Sequence, residues 1–137
     1  MIARLSICAA LSPGLAFACA AELAPVEVEE LHVPSGQPVE FYDTVMDRPG
    51  MGLTARFRFL APQLAEVLKR LGYEELEGDL SYLCDSYALP RLGDPKPTVI
   101  VISLIERPTD FGTPSPDVAQ VFEAYRPAGD HCEWEAF

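Results

Sequence analysis

The run Val99-Ile100-Val101-Ile102-Ser103-Leu104-Ile105 constrains the fold more than any other segment. It is rich in β-branched residues and apolar on both alternating sets. A strand of that kind has to be covered on both faces, so it belongs at the centre of a sheet. It is too short to cross a bilayer, which takes about 20 apolar residues. The rest of the chain must therefore supply flanking strands and a covering layer. The strand itself is expected over 98–105.

Alternation supplies the flanking strands. Val39, Phe41 and Val45 alternate with Glu40, Tyr42 and Thr44, and Leu53, Ala55, Phe57 and Phe59 alternate with Thr54, Arg56 and Arg58. Both runs have the period of a half-buried strand, which predicts strands over 39–46 and 52–60. Asp47-Arg48-Pro49-Gly50 between them is turn chemistry. Pairing residue 42 with 56 sets Glu40 opposite Arg58 and Phe41 opposite Phe57, keeping polar and apolar faces apart. Arg56 and Arg58 suggest an anion site, but a solvated face that balances nearby acids is the preferred reading.

Periodicity changes after the hairpin. Leu64, Val67, Leu68 and Leu71 follow helical spacing, with Pro62 ahead of them and Gly72 behind. Tyr73, Leu76, Leu80, Leu83, Cys84 and Tyr87 form a second stripe. Glu74, Glu75, Glu77 and Asp79 load its first turns with the charge the helix dipole favours. Helices are expected over 62–71 and 74–88, with Pro90 ending the second. Phe111-Gly112, in the loop 107–116, is a candidate plug at the core edge. In the tail, Cys132, Trp134 and Ala136 alternate with His131, Glu133 and Glu135, which is strand-like. Residues 118–126 would then pair with 131–136 as a hairpin. The alternative is a helix over 116–126, opened by Ser115-Pro116-Asp117. The expected architecture is α+β: an antiparallel sheet of about five strands with two helices on one face.

The chain begins with an export signal. Arg4 precedes a nearly apolar stretch from Leu5 to Ala20, and small residues recur at A-x-A spacing in Ala16-Phe17-Ala18 and Ala18-Cys19-Ala20. Residues 1–20 read as a signal peptide, 21–37 as an acidic extended lead-in, and 38–137 as a single globular domain. Val26, Val28 and Leu31 offer an edge strand within the lead-in. Lipidation of Cys19 is a minor alternative that Phe17 disfavours. The expected compartment is periplasmic or secreted, with no membrane insertion once the signal is gone.

Removing residues 1–20 takes away Arg4 and no acid, leaving 9 basic and 21 acidic residues, a formal charge of −12. Such a charge excludes nucleic acid, whose phosphates demand a basic footprint. It leaves a basic protein or basic ligand as the electrostatically natural partner.

Cleavage would also discard Cys8 and Cys19 and leave Cys84 and Cys132. Two thiols in an exported chain point to one structural disulfide. No C-x-x-C occurs, and His32 and His131 do not give zinc-site spacing with the cysteines, so no metal is expected. There is no G-x-S-x-G and no G-x-G-x-x-G, so neither a nucleophile elbow nor a nucleotide cofactor is indicated. Glu133 and Glu135 flank Trp134, and with His131 they are the residues a small envelope hydrolase would use. The usual fate of such acids is solvation, and Trp134 reads as a core anchor. No catalytic residue is assigned. A non-catalytic binding or accessory module is the preferred reading.

Three segments carry a family resemblance. They are Cys84-Asp85-Ser86-Tyr87-Ala88-Leu89-Pro90, Val101-Ile102-Ser103-Leu104 with Arg107-Pro108 and Phe111-Gly112, and the ending from Phe122 through Cys132-Glu133-Trp134-Glu135-Ala136-Phe137. Together they resemble a family of short exported alphaproteobacterial proteins of unknown function, over about Pro34 to Phe137. The resemblance implies export, retention of both cysteines and an envelope setting. It implies no catalytic residue.

Overall fold

The computed structural model describes residues 29–50 and 52–136. In it Val99–Ile105 is a strand with every residue buried. The elements are β1 (Glu30–His32), β2 (Pro38–Asp47), β3 (Thr54–Leu60), α1 (Leu64–Leu71), α2 (Tyr73–Leu83), β4 (Val99–Ile105), β5 (Gln120–Ala128) and β6 (His131–Trp134). The strands form one six-stranded sheet in the order β1-β2-β3-β4-β5-β6. The architecture is α+β, with both helices packed on one face of a mostly antiparallel sheet. Residues 1–20, expected as a signal segment, with Cys8 and Cys19, and also Val26 and Val28, lie outside the described residues.

The sheet departs from the expectation in three ways. First, Glu30–His32 pairs with β2 as a sixth, edge strand, drawing the end of the lead-in into the fold. Second, β3 and β4 are parallel, while the other neighbours are antiparallel. The reason is the connection. The chain leaves β3, crosses the sheet through α1 and α2, and re-enters from the same end. Third, Phe41 pairs with Phe59 and Asp43 with Arg58, so Tyr42 is a β-bulge. Arg58 therefore faces Asp43 rather than Glu40, and Phe41 lies opposite Phe59 rather than Phe57. The extra residue lets Phe41 still reach the helix layer, where its ring stacks on Tyr87 with centroids 5.2 Å apart.

Between the helices, Gly72 adopts φ 84°, a left-handed value that only glycine takes without strain, and its N–H caps Leu68. α1 buries Leu64 and Val67, and α2 buries Leu76, Leu80 and Leu83. These meet Phe57, Phe59, Ile100, Ile102 and Leu104 in the main core. The second helix was expected to run to residue 88. Its regular part ends at Leu83, and Cys84–Ala88 is a π-helical turn followed by a 3₁₀ turn, Leu89–Arg91. The tail is the hairpin β5–β6, turning at Gly129-Asp130.

Asp79 is fully buried, although the sequence reads it as one of four acids that complement the helix dipole. It lies on the same stripe as Leu76, Leu80 and Leu83. It accepts hydrogen bonds from the Ser35 N–H (2.8 Å), the Ser35 hydroxyl (2.6 Å) and Gln37 Nε2 (2.9 Å). These bonds fasten the β1–β2 connection to α2.

Candidate functional site

Where α2, β5 and β6 meet, the helix-side face of the sheet leaves a groove of about 320 Å³. Glu77 and Ser81 line it from α2, Glu123 and Tyr125 from β5, and Cys132 and Trp134 from β6. Strand alternation places Glu123 and Tyr125 on that face, one residue out of step with Phe122 and Ala124. Glu123 is the hub. One carboxylate oxygen accepts from Trp134 Nε1 at 2.7 Å and the other from the Tyr73 hydroxyl at 2.5 Å. The carboxylate thus spans from the start of α2 to the last strand.

The groove is electronegative. Burial raises the Tyr125 hydroxyl well above its ordinary value, and the nearby charges of Glu123, Glu77 and Asp85 push it the same way. Burial and then the Glu123 hydrogen bond raise the Tyr73 hydroxyl likewise. No basic side chain lines the groove. Trp134, 63% exposed, presents an open aromatic face beside these carboxylates. It is not the core anchor expected from the sequence, because β6 is an edge strand and α2 does not extend over it.

The groove's floor is braced. Cys132 is bonded to Cys84 in the π-helical turn, with Cα atoms 6.2 Å apart. The Cys132 N–H donates to Asp85 Oδ1 at 2.7 Å. Two adjacent residues of one turn therefore hold the last strand against the helix layer.

A family model described as a family of unknown function, DUF6497, matches residues 15–137. The chain belongs to that family. No curated protein and no solved structure matches it. The groove and its brace lie within the matched span of this DUF6497 member.

The other candidates fall elsewhere. His131, Glu133 and Glu135 point to the sheet face opposite the groove, in the register of Arg126 and Ala128. His131 is exposed and lies 3.4 Å from Asp130 and 3.7 Å from Glu133, while Glu135 is paired with Arg126. None of the three lines the groove. His32 sits on β1, away from the cysteines, and no group of three or more metal-ligating side chains converges among the described residues.

Arg56 and Arg58 also lie on the face opposite the helices. Arg58 is only 5% exposed rather than solvated. It donates to both Asp43 oxygens at 2.7 Å and to the Thr109 carbonyl at 3.1 Å, and lies between the rings of Tyr42 and Phe111. The Asp43 hydrogen bonds raise its pKa further above the ordinary arginine value. Arg56 is paired with Asp47 at 3.1 Å. Both guanidinium groups are already matched to acids, so the pair offers no open anion site. Phe111 caps them from outside and plugs nothing.

Sequence reasoning missed Glu77, Glu123 and Tyr73 as one group. A partial signal was present: Glu77 shares a helix face with Tyr73, four residues earlier, as i,i+4 neighbours. Nothing in the sequence places Glu123 beside them.

Proposed function

We propose that this protein is an exported, periplasmic binding module with no catalytic role, and that the groove takes a cationic group from a basic protein partner. The observation that carries the reading is Trp134 standing open beside Glu123 and Glu77. An ammonium or guanidinium group there would meet an aromatic face and carboxylates together, the arrangement that suits cation–π recognition. The formal charge of −12 left after the signal is removed would steer such a partner from a distance. The export signal and the Cys84–Cys132 bond both suit an oxidising envelope compartment. No helix among the described residues is long and apolar enough to cross a membrane.

The chain has a single tryptophan, so Trp134 fluorescence reports on the groove without a label. Titration with an octalysine peptide is expected to shift that fluorescence, and 0.5 M salt is expected to reverse most of the change by screening, as the Debye length falls to about 4 Å. Glu77→Gln is expected to weaken binding about threefold, the size of one partly exposed charge contact. Octaglutamate should do nothing. An unchanged Trp134 signal, or binding indifferent to both salt and Glu77, would sink the reading.

A further inference from the structure

A second groove lies at the other end of the helix layer and has the opposite character. Ala55 and Phe57 of β3 line it together with Phe41 and Met46 of β2, and Tyr87 and Leu92 close it from the turns after α2. Its volume is about 300 Å³, at the small end of the range of roughly 300–1,000 Å³ for ligand pockets. The lining is mainly apolar, and no acidic side chain belongs to it. Phe41 is 36% exposed and Met46 51%, so apolar surface is left open in an otherwise acidic protein. The rings of Phe41, Phe57 and Phe59 all pack against Tyr87, which makes that wall stiff.

The one charged residue lining the groove is Arg91. Its guanidinium carbon lies over the Tyr87 ring, 3.6 Å from the centroid, and Nη1 donates to the Tyr87 carbonyl at 3.0 Å. A guanidinium has five N–H donors, so most of them remain unspent. Arg56, Arg58, Arg107 and Arg126 each face a carboxylate, whereas among the described residues Arg91, like Arg48 and Arg70, faces none, and of these three only Arg91 lines the groove. It is a held, oriented cation beside an apolar trough.

We infer that this groove binds an aliphatic carboxylate, with the alkyl chain laid along Phe41–Met46 and the carboxylate on Arg91. The span supports a medium chain. Because Tyr42 is bulged, Phe41 to Met46 spans the four steps from Phe59 to Ala55 on the partner strand, about 13 Å at roughly 3.3 Å per residue. Ten carbons at roughly 1.3 Å each cover a similar length. The carboxylate supplies the charge that Arg91 lacks, in the bidentate geometry a guanidinium prefers. The inference is independent of the cation groove, which lies on different residues.

The test is an amide NMR titration of the folded protein with decanoate below its micelle concentration. Shifts are expected at Phe41, Met46, Tyr87 and Leu92. Hexanoate is expected to bind more than tenfold more weakly, since each methylene buried is worth up to about fourfold. Arg91→Gln, at an exposed position, is expected to weaken decanoate about tenfold while leaving decanol unchanged. Met46→Glu, also exposed, should abolish decanoate binding by placing a like charge in the trough, with the fold intact by circular dichroism. Any of three results would overturn the inference. These are shifts confined to other residues, decyltrimethylammonium binding as tightly as decanoate at this groove, or an Arg91→Gln protein that binds decanoate as well as the parent.

Discussion

Among the described residues two charged side chains are buried, one on each side of the sheet, and they are held differently. Asp79, on the helix side, has no cation beside it among the described residues. Two donors of Ser35 and one of Gln37 stabilise it, and Gln37 Oε1 is left without a protein partner. Arg58, on the other side, has a carboxylate of its own in Asp43, which is itself partly open to water. The consequence lies in what each would leave behind. Remove Arg58, and Asp43 can hydrate. Remove Asp79, and Gln37 Nε2 is left buried without an acceptor, while the half-buried Ser35 donors are only partly open to water. Buried anion and buried cation are therefore unequal supports, because their partners differ in access to solvent.

The helix side is also where the disulfide acts, and its loss is the largest effect expected. Replacing Cys84 and Cys132 with alanine opens a loop with a sequence separation of 48 residues. The chain-entropy relation values that closure at about 4 kcal/mol, to be read from the urea midpoint with and without the bond.

Next comes the direct contrast between the two charges. Asp79→Ala is expected to cost about 3 kcal/mol, since Gln37 Nε2 loses its acceptor in a buried setting and the two Ser35 donors lose theirs in a half-buried one. Arg58→Ala is expected to cost about 2 kcal/mol, less than a fully enclosed pair because Asp43 reaches water. Equal losses in parallel urea melts would break the comparison.

A smaller effect belongs to the groove tyrosines. The folded-state pKa values of Tyr73 and Tyr125 lie above the unfolded one. Their contribution is thus complete below the unfolded value, about pH 10, and is lost as pH rises from there through the folded values. Alkaline melts should fall above about pH 10. In Tyr73→Phe that fall should be shallower, which would assign part of it to the Glu123 contact. The smallest effect is expected at Arg107, whose pairing with Asp117 at 3.0 Å is exposed on both sides. Arg107→Ala should change stability by less than about 0.5 kcal/mol, and a larger loss would mean that the loop it crosses is under more tension than its exposure suggests.

How far these features can be read in the chain depends on how local their causes are. β4 declares itself because its side chains are apolar on both faces, whatever lies beside it. α1 does so through its stripe and Gly72. The cysteine pair is legible through compartment logic. Asp79 is a harder case. Its position three residues after Leu76 put it on the buried stripe, but an acid among acids near a helix start reads as complementing the helix dipole until Ser35 and Gln37 are known to cover it. Trp134 is harder again. Alternation set its face correctly, but whether that face is covered depends on where α2 stops.

By itself, then, the sequence determined an α+β chain with a fully buried strand, a strongly acidic balance and two cysteines suited to one bond. Each of these follows from composition or from spacing along a single element, where neighbours in sequence are neighbours in space. The tertiary structure decided the rest: the parallel β3–β4 pair, the bulge at Tyr42, the meeting of Glu77, Glu123 and Trp134, and the apolar trough beside Arg91. Those are products of the crossover through α1 and α2 and of where the helix layer ends. Contacts between residues about 50 positions apart are set by how layers pack, and no local pattern encodes them.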